Sequence, residues 1–152
     1  MQPRLAAHRI APDAIAAARA LQEYVDASDL EPGLLDLVKM RASQINGCAF
    51  CLHMHSRDAR ARGETEERLY LLDAWRESPL YSARERAALA WTEALTEIAE
   101  THAPDDAYEK VRREFGEAEL VRLTLAIGMI NLWNRLAIGF RYTHPVGAVK
   151  AA

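Results

Sequence analysis

The chain has 152 residues, half of them hydrophobic and 27% charged, enough to bury a sizeable core within one domain spanning residues 1–152. Its net charge is −3, with 19 Lys and Arg scattered among 22 Asp and Glu. It therefore lacks the concentrated basic face that phosphate binding needs, and nucleic acid is not an expected partner. The opening MQPRLAAHRIAPD has no apolar run of signal-peptide length, so secretion is not expected. The most apolar stretch, LTLAIGMINLWN, lies between Arg122 and Arg135 and falls short of the roughly 20 residues that span a bilayer. The expected setting is the cytoplasm, with no membrane association. There a lone cysteine pair points to catalysis, redox exchange or metal binding rather than to a permanent disulfide.

Gly and Pro are few, no alternating β-branched pattern stands out, and the chain reads as all-α, with six to seven helices. Asp13 is placed to cap a first helix through AIAAARALQEYVDAS, and Pro32 suits the first turn of a second through LLDLVKMRAS. Asn46-Gly47 is a turn signal that ends this helix at a corner. A third helix is expected from Cys48 to near Gly63, a suitable C-terminal glycine. ETEERLYLLDAWRES reads as a fourth, closed by Pro79. Ser82 to Glu85, SARE, is a capping box opening a fifth helix, with apolar residues at helical period from Ala87 through Trp91 to Ile98. DDAYEKVRREFG is short and amphipathic, and EAELVRLTLAIGMINLWNRLAIGFRYT closes the chain. The centre of this last helix is apolar nearly all round, which fits a central helix or a subunit interface and an oligomeric protein.

The segment CAFCLHMH, residues 48–55, holds both cysteines and two of the five histidines. At about 100° per residue, Cys51 lies about 300° and His55 about 340° from Cys48, whereas His53 lies about 140° away. Helical phase alone thus groups Cys48, Cys51 and His55 and leaves out His53. A helix N-terminus and a Cys-X-X-Cys spacing both favour the thiolate, the reactive form. A thiolate attacks a peroxide oxygen or a disulfide sulfur, a second cysteine captures the product as a disulfide, and an imidazole can move the proton. Asp36 lies on one side of the preceding helix with Met40 and Ser43, and a folded-back corner would bring it toward His55. Redox chemistry, metal binding and core packing remain open on these residues. The metal reading is weakened by the absence of any further cysteine, since structural zinc takes a second ligand pair. Haem attachment in its usual form is excluded because Leu52 stands where a histidine is required. Cys48, beside the Asn46-Gly47 corner, is expected to meet an external reductant. His8, His102 and His144 read as surface or loop residues.

LLDLVKMRASQINGCAFCLHMHSRDARARGE resembles the core of the alkylhydroperoxidase D-like proteins of the carboxymuconolactone decarboxylase superfamily. INLWNRLAIGFR is similar to the closing helix of single-domain members, and the likeness runs over residues 12–144. The redox members carry an acidic residue, a Cys-X-X-Cys and then a histidine, matched here by Asp36, Cys48, Cys51 and His55. The resemblance implies an all-α homo-oligomer, a trimer or hexamer, that reduces hydroperoxides with thiols, and the combined reading expects no metal or organic cofactor. It implies Cys51 as the attacking cysteine, Cys48 as the resolving one, His55 and Asp36 as a proton relay, and a dithiol reductant as partner. Two positions depart from the pattern: Asp36 replaces the usual Glu, and Ala49 and Phe50 stand where other members place a histidine. The decarboxylases of the superfamily lack the cysteine pair. The alternative is a non-catalytic metal-binding or redox-sensing module using the same cysteines.

Overall fold

Pro12, not Asp13, opens the first long helix. The computed structural model describes residues 2–145; the outermost parts of the expected 1–152 domain lie outside them. A short helix α1 (Ala7–Ile10) precedes α2 (Pro12–Asp26), whose N-cap is Ala11. Asp13 therefore sits inside the first turn, where the helix dipole favours its charge without a capping bond. Helix α3 (Pro32–Asn46) begins at Pro32 as its sequence predicts.

The corner after α3 is built by one glycine. Gly47 has φ +68°, its N–H bonds Gln44 O, and the Cys48 N–H bonds Ser43 O at 3.0 Å. These are the two bonds of a Schellman motif, which favours glycine in the left-handed region. Helix α4 (Ala49–Ala61) starts at once, with Cys48 as its N-cap rather than its first helical residue.

Among the described residues there are nine α-helices and one 3₁₀ helix, more than the six to seven expected. The two additional helices, α1 and α7 (Ile98–Thr101), are four residues each. The segment expected as a single fourth helix divides into α5 (Glu66–Tyr70) and a 3₁₀ turn, Leu72–Ala74. Leu69, Leu72 and Trp75 are all buried; a spacing of three matches the 3₁₀ period and not the α-helical one. Helix α6 (Ala83–Thr96) has the expected capping box, Ser82 with Glu85, but ends before Ile98, which is 52% exposed. The Thr101 hydroxyl donates to Ala94 O at 2.5 Å and folds α7 back on α6. Helix α8 (Asp105–Glu114) leads through Gly116 into α9 (Glu117–Phe140).

Helix α3 lies at the centre, packed on α4, α6 and α9. Leu34, Leu35 and Val38 face a core shared with Val25, Trp91, Val111 and Ile127. Leu37 and Met40, on its other side, face a second core with Leu72, Trp75 and Leu89. Each fully buried Leu or Val stabilises the fold by roughly 1.5–3 kcal/mol, which holds α3 on both flanks. By length and composition α9 could cross a membrane, but here it packs on α2, α3, α4, α6 and α8. A third, small cluster joins Cys48 and Cys51 to Ala137 of α9, with Phe50 and Tyr142 against it. It lies where the start of α4 meets the end of α9.

Candidate active site

A cavity of about 1020 Å³ lies between α2, α3, α4 and the end of α9, with the N-terminal segment along one edge. Cys51, His55 and Asp58 of α4 and its C-cap Arg62 line it together with Asp36 and Lys39 of α3. Phe50, Met54 and Trp133 supply much of its apolar wall. Arg4 holds the N-terminal segment in place through bonds to the carbonyls of Phe140 and Gly139. Trp133 Nε1 donates to Gln22 Oε1 at 3.0 Å and ties α9 to α2.

The two cysteines have different surroundings. Both are buried and free, but Cys51 lines the cavity and Cys48 does not. As N-cap, the Cys48 sulfur accepts from the Cys51 N–H at 3.4 Å. The hydrogen bond from the Cys51 thiol lowers the Cys48 thiol to about 7, and backbone N–H groups and Asn134 help against the opposing effect of burial. The same contact raises Cys51, with burial and the nearby Cys48 charge adding to it. A negative charge on the pair is thus favoured on Cys48, while the residue on the cavity wall is Cys51. Cys48 is set back from the cavity wall, and the adjacent corner is pinned: Asn46 Nδ2 donates to Asn131 Oδ1 and Asn134 Oδ1, both at 2.9 Å.

His55 is buried on the cavity side of α4. Burial pulls its pKa down to about 4, and the Lys39 ammonium pushes the same way, opposed by Asp58, Asp36 and Asp26. At neutral pH it is an uncharged imidazole, fit to accept a proton. Its nearest carboxylate is Asp58, at 3.9 Å from Nδ1. His53 is off the cavity and stacks on His144 at 4.6 Å, as its phase predicts.

Asp36 does reach the cavity wall, but its carboxylate is engaged elsewhere. It is 2% exposed and accepts two bonds from Arg62, Nε to Oδ2 at 2.7 Å and Nη2 to Oδ1 at 2.6 Å. Lys39 is likewise held by Asp26 at 2.6 Å. Neither Arg62 nor Lys39 stands out in the sequence, because their partners come from other helices. Asn134, 1% exposed on α9, was also missed; a polar residue at core phase in an apolar helix is the signal that marks it. Among the described residues, no three His, Cys, Asp or Glu side chains converge as metal ligands.

A buried Cys-X-X-Cys at a helix start, facing a cavity with a neutral histidine, defines a helical thiol site. The chain belongs to the carboxymuconolactone decarboxylase family, whose description matches residues 12–94, and it has the fold of AhpD-like proteins. It is 42% identical over 138 residues to an uncharacterized protein of Bacillus subtilis, YdfG, covering 91% of this chain and 94% of that one. A crystal structure of a protein of unknown function from Agrobacterium tumefaciens, with a suggested identity as the antioxidant defence protein AhpD, shares 49% identity and a TM-score of 0.93. That match covers 96% of this chain and all of the other. At 19% identity, an uncharacterized peroxidase-related protein from Ralstonia eutropha with an AhpD core shares the fold, with a TM-score of 0.74 over 88% of this chain and 72% of that one.

Proposed function

We propose that the protein is a thiol-dependent peroxidase that reduces hydroperoxides through Cys51 and Cys48, with a dithiol donor in the reducing cytoplasm. The observation that carries this reading is Cys51 on the cavity wall, with Cys48 bonded to it at the helix start and His55 one turn away. The proton between the sulfurs passes to Cys48 along their existing contact, leaving Cys51 as thiolate. Cys51 attacks one peroxide oxygen, the O–O bond breaks, and Cys51 becomes a sulfenic acid while the departing alkoxide takes, through His55, a proton from solvent, replacing the one the pair released when it ionised. Cys48 then attacks the Cys51 sulfur, forming the disulfide and releasing water. Two thiols and one hydroperoxide thus become a disulfide, an alcohol and water, and the donor dithiol restores the thiols. Asp36 belongs to the relay only when Arg62 releases its carboxylate; in the resting geometry it holds Arg62 at the cavity wall. Phe50, Met54 and Trp133 favour an organic hydroperoxide over hydrogen peroxide, since they offer an apolar body to pack against.

The test is mass spectrometry after a brief pulse of cumene hydroperoxide. Cys48→Ser should consume one equivalent and stall with a sulfenic or over-oxidised Cys51. Cys51→Ser should react at close to the rate of an ordinary thiol. Fast sulfenic acid on Cys48 in the latter, with a sluggish Cys51 in the former, reverses the roles; inertness of the wild type sinks the reading.

A further inference from the structure

The charges that line the cavity are paired at one end and open at the other. Lys39 is bound to Asp26 at 2.6 Å, and Arg62 holds Asp36 through two bonds. Lys39 stands one turn after Asp36 on α3, and Arg62 one turn after Asp58 on α4, so these groups form one cluster. Asp58, 3.9 Å from His55 Nδ1, adds a carboxylate without a cation of its own. Helix α2 carries the exception. Ile15, Arg19, Gln22 and Asp26 recur at helical spacing and line the cavity as one row. Arg19 precedes Asp26 by seven residues, about 10 Å along the axis, and so stands two turns from the cluster. It is exposed, and among the described residues it meets no carboxylate. Glu23, four residues on, does not line the cavity. Between Arg19 and the cluster the wall is apolar, because Gln22, midway along the row, accepts the bond from Trp133 Nε1. Two titratable groups remain on the wall: His8, exposed on the N-terminal segment, and Tyr142, packed edge-on against Phe50.

We propose that the cavity takes an amphipathic carboxylic acid, its carboxylate held by Arg19 and its hydrocarbon body laid along Trp133, Met54 and Phe50 toward Cys51. A guanidinium offers a carboxylate two parallel N–H donors, and Arg19 is the cavity cation whose donors are not already taken. Asp58 repels the same carboxylate. Attraction at one end and repulsion at the other orient the ligand, with its charged end away from His55 and its far end near the thiol. A neutral ligand of the same shape gains no such orientation. The volume of about 1020 Å³ lies at the upper end of small-ligand pockets and has room for a fatty acid. On the peroxidase reading above, on which the reaction rests but the binding does not, the substrate is a fatty acid hydroperoxide.

The test is calorimetric binding of decanoate and of decanol to the full-length protein. Decanoate should bind the wild type more tightly than it binds Arg19→Gln, by about 5-fold, the upper value for one partly exposed ion pair. Arg19→Lys should keep most of the difference and Arg19→Glu should lose more than Arg19→Gln, while decanol should not follow this order. A second measurement compares consumption of linoleic acid hydroperoxide with that of its methyl ester. The ratio of acid to ester should fall to about one in Arg19→Gln. Arg19 is exposed, so these variants are expected to fold. Equal decanoate binding by wild type and Arg19→Gln overturns the proposal, whatever the peroxide assay shows. Binding needs no peroxide, so Arg19-dependent decanoate binding by a protein that ignores both hydroperoxides upholds the proposal and overturns the peroxidase reading alone.

Discussion

His55 and His53 stand two positions apart and meet opposite surroundings, one buried at the cavity and one stacked on His144. His55→Ala should slow sulfenic acid formation by on the order of 10²-fold, the low end for a lost acid–base group, while His53→Ala should leave it nearly unchanged. Equal losses would mean that proton transfer does not run through the buried ring. The same burial has a pH signature. The His55 pKa is lowered to about 4 in the fold, against about 6.5 in the unfolded chain. Below about 6.5 the unfolded chain binds a proton that the folded one refuses, so stability falls as pH drops from about 6.5 toward 4 and is unaffected above that window. Urea midpoints across this range should decline in the wild type and decline less in His55→Gln. Parallel curves would show that another group carries the acid sensitivity.

At the scale of the elements, the corner between α3 and α4 decides whether there is a site. Gly47 takes a left-handed φ, and a Cβ there would meet no neighbouring atom within 4 Å, so the cost of a side chain is purely conformational. Gly47→Ala should destabilise by about 1–2 kcal/mol, and Gly47→Asn by less, because asparagine visits this region more readily; urea unfolding measures both. An Ala variant as stable as the wild type would mean that the corner relaxes to another conformation. This corner was legible from Asn46-Gly47 because it is local. The common side of Cys51 and His55 was legible for the same reason, since helical phase needs only neighbours, whereas Cys48, as N-cap, sits behind them. The capture of Asp36 by Arg62 and the bond from Asn134 to Ser43 were not, because each joins two helices whose packing no short window encodes. Similarly, the break between α5 and the 3₁₀ turn follows from what Leu69, Leu72 and Trp75 pack against, not from their propensities. In α6, the capping box fixed the start, whereas the end depends on Thr101 reaching back to Ala94.

For the whole molecule, the sequence pattern of α9 calls for cover on nearly all sides, and the fold leaves one row of it open. Leu123, Ile127, Ile130 and Ala137 are buried, while Val121 is 60% exposed, Leu132 38% and Ile138 46%. Gly128 and Leu132, respectively seven and eleven residues after Val121, continue the same outer row, since these spacings return to one helix face. Helix α2, packed beside α9, also exposes Leu21 and Tyr24. An apolar row of this kind on a small protein marks a surface that is covered in use, and a second copy of the chain is the occupant that a self-complementary row invites. The expectation is a homo-oligomer, three or six copies, in which α9 is central to the interface. Light scattering at micromolar concentration should give three or six times the 17.0 kDa chain mass. Val121→Asp combined with Leu132→Asp places two charges on the row without touching the cavity and should drive the mass toward the single chain while leaving helical content intact. A wild type of 17.0 kDa refutes the assembly, and an oligomer indifferent to both aspartates moves its interface away from α9.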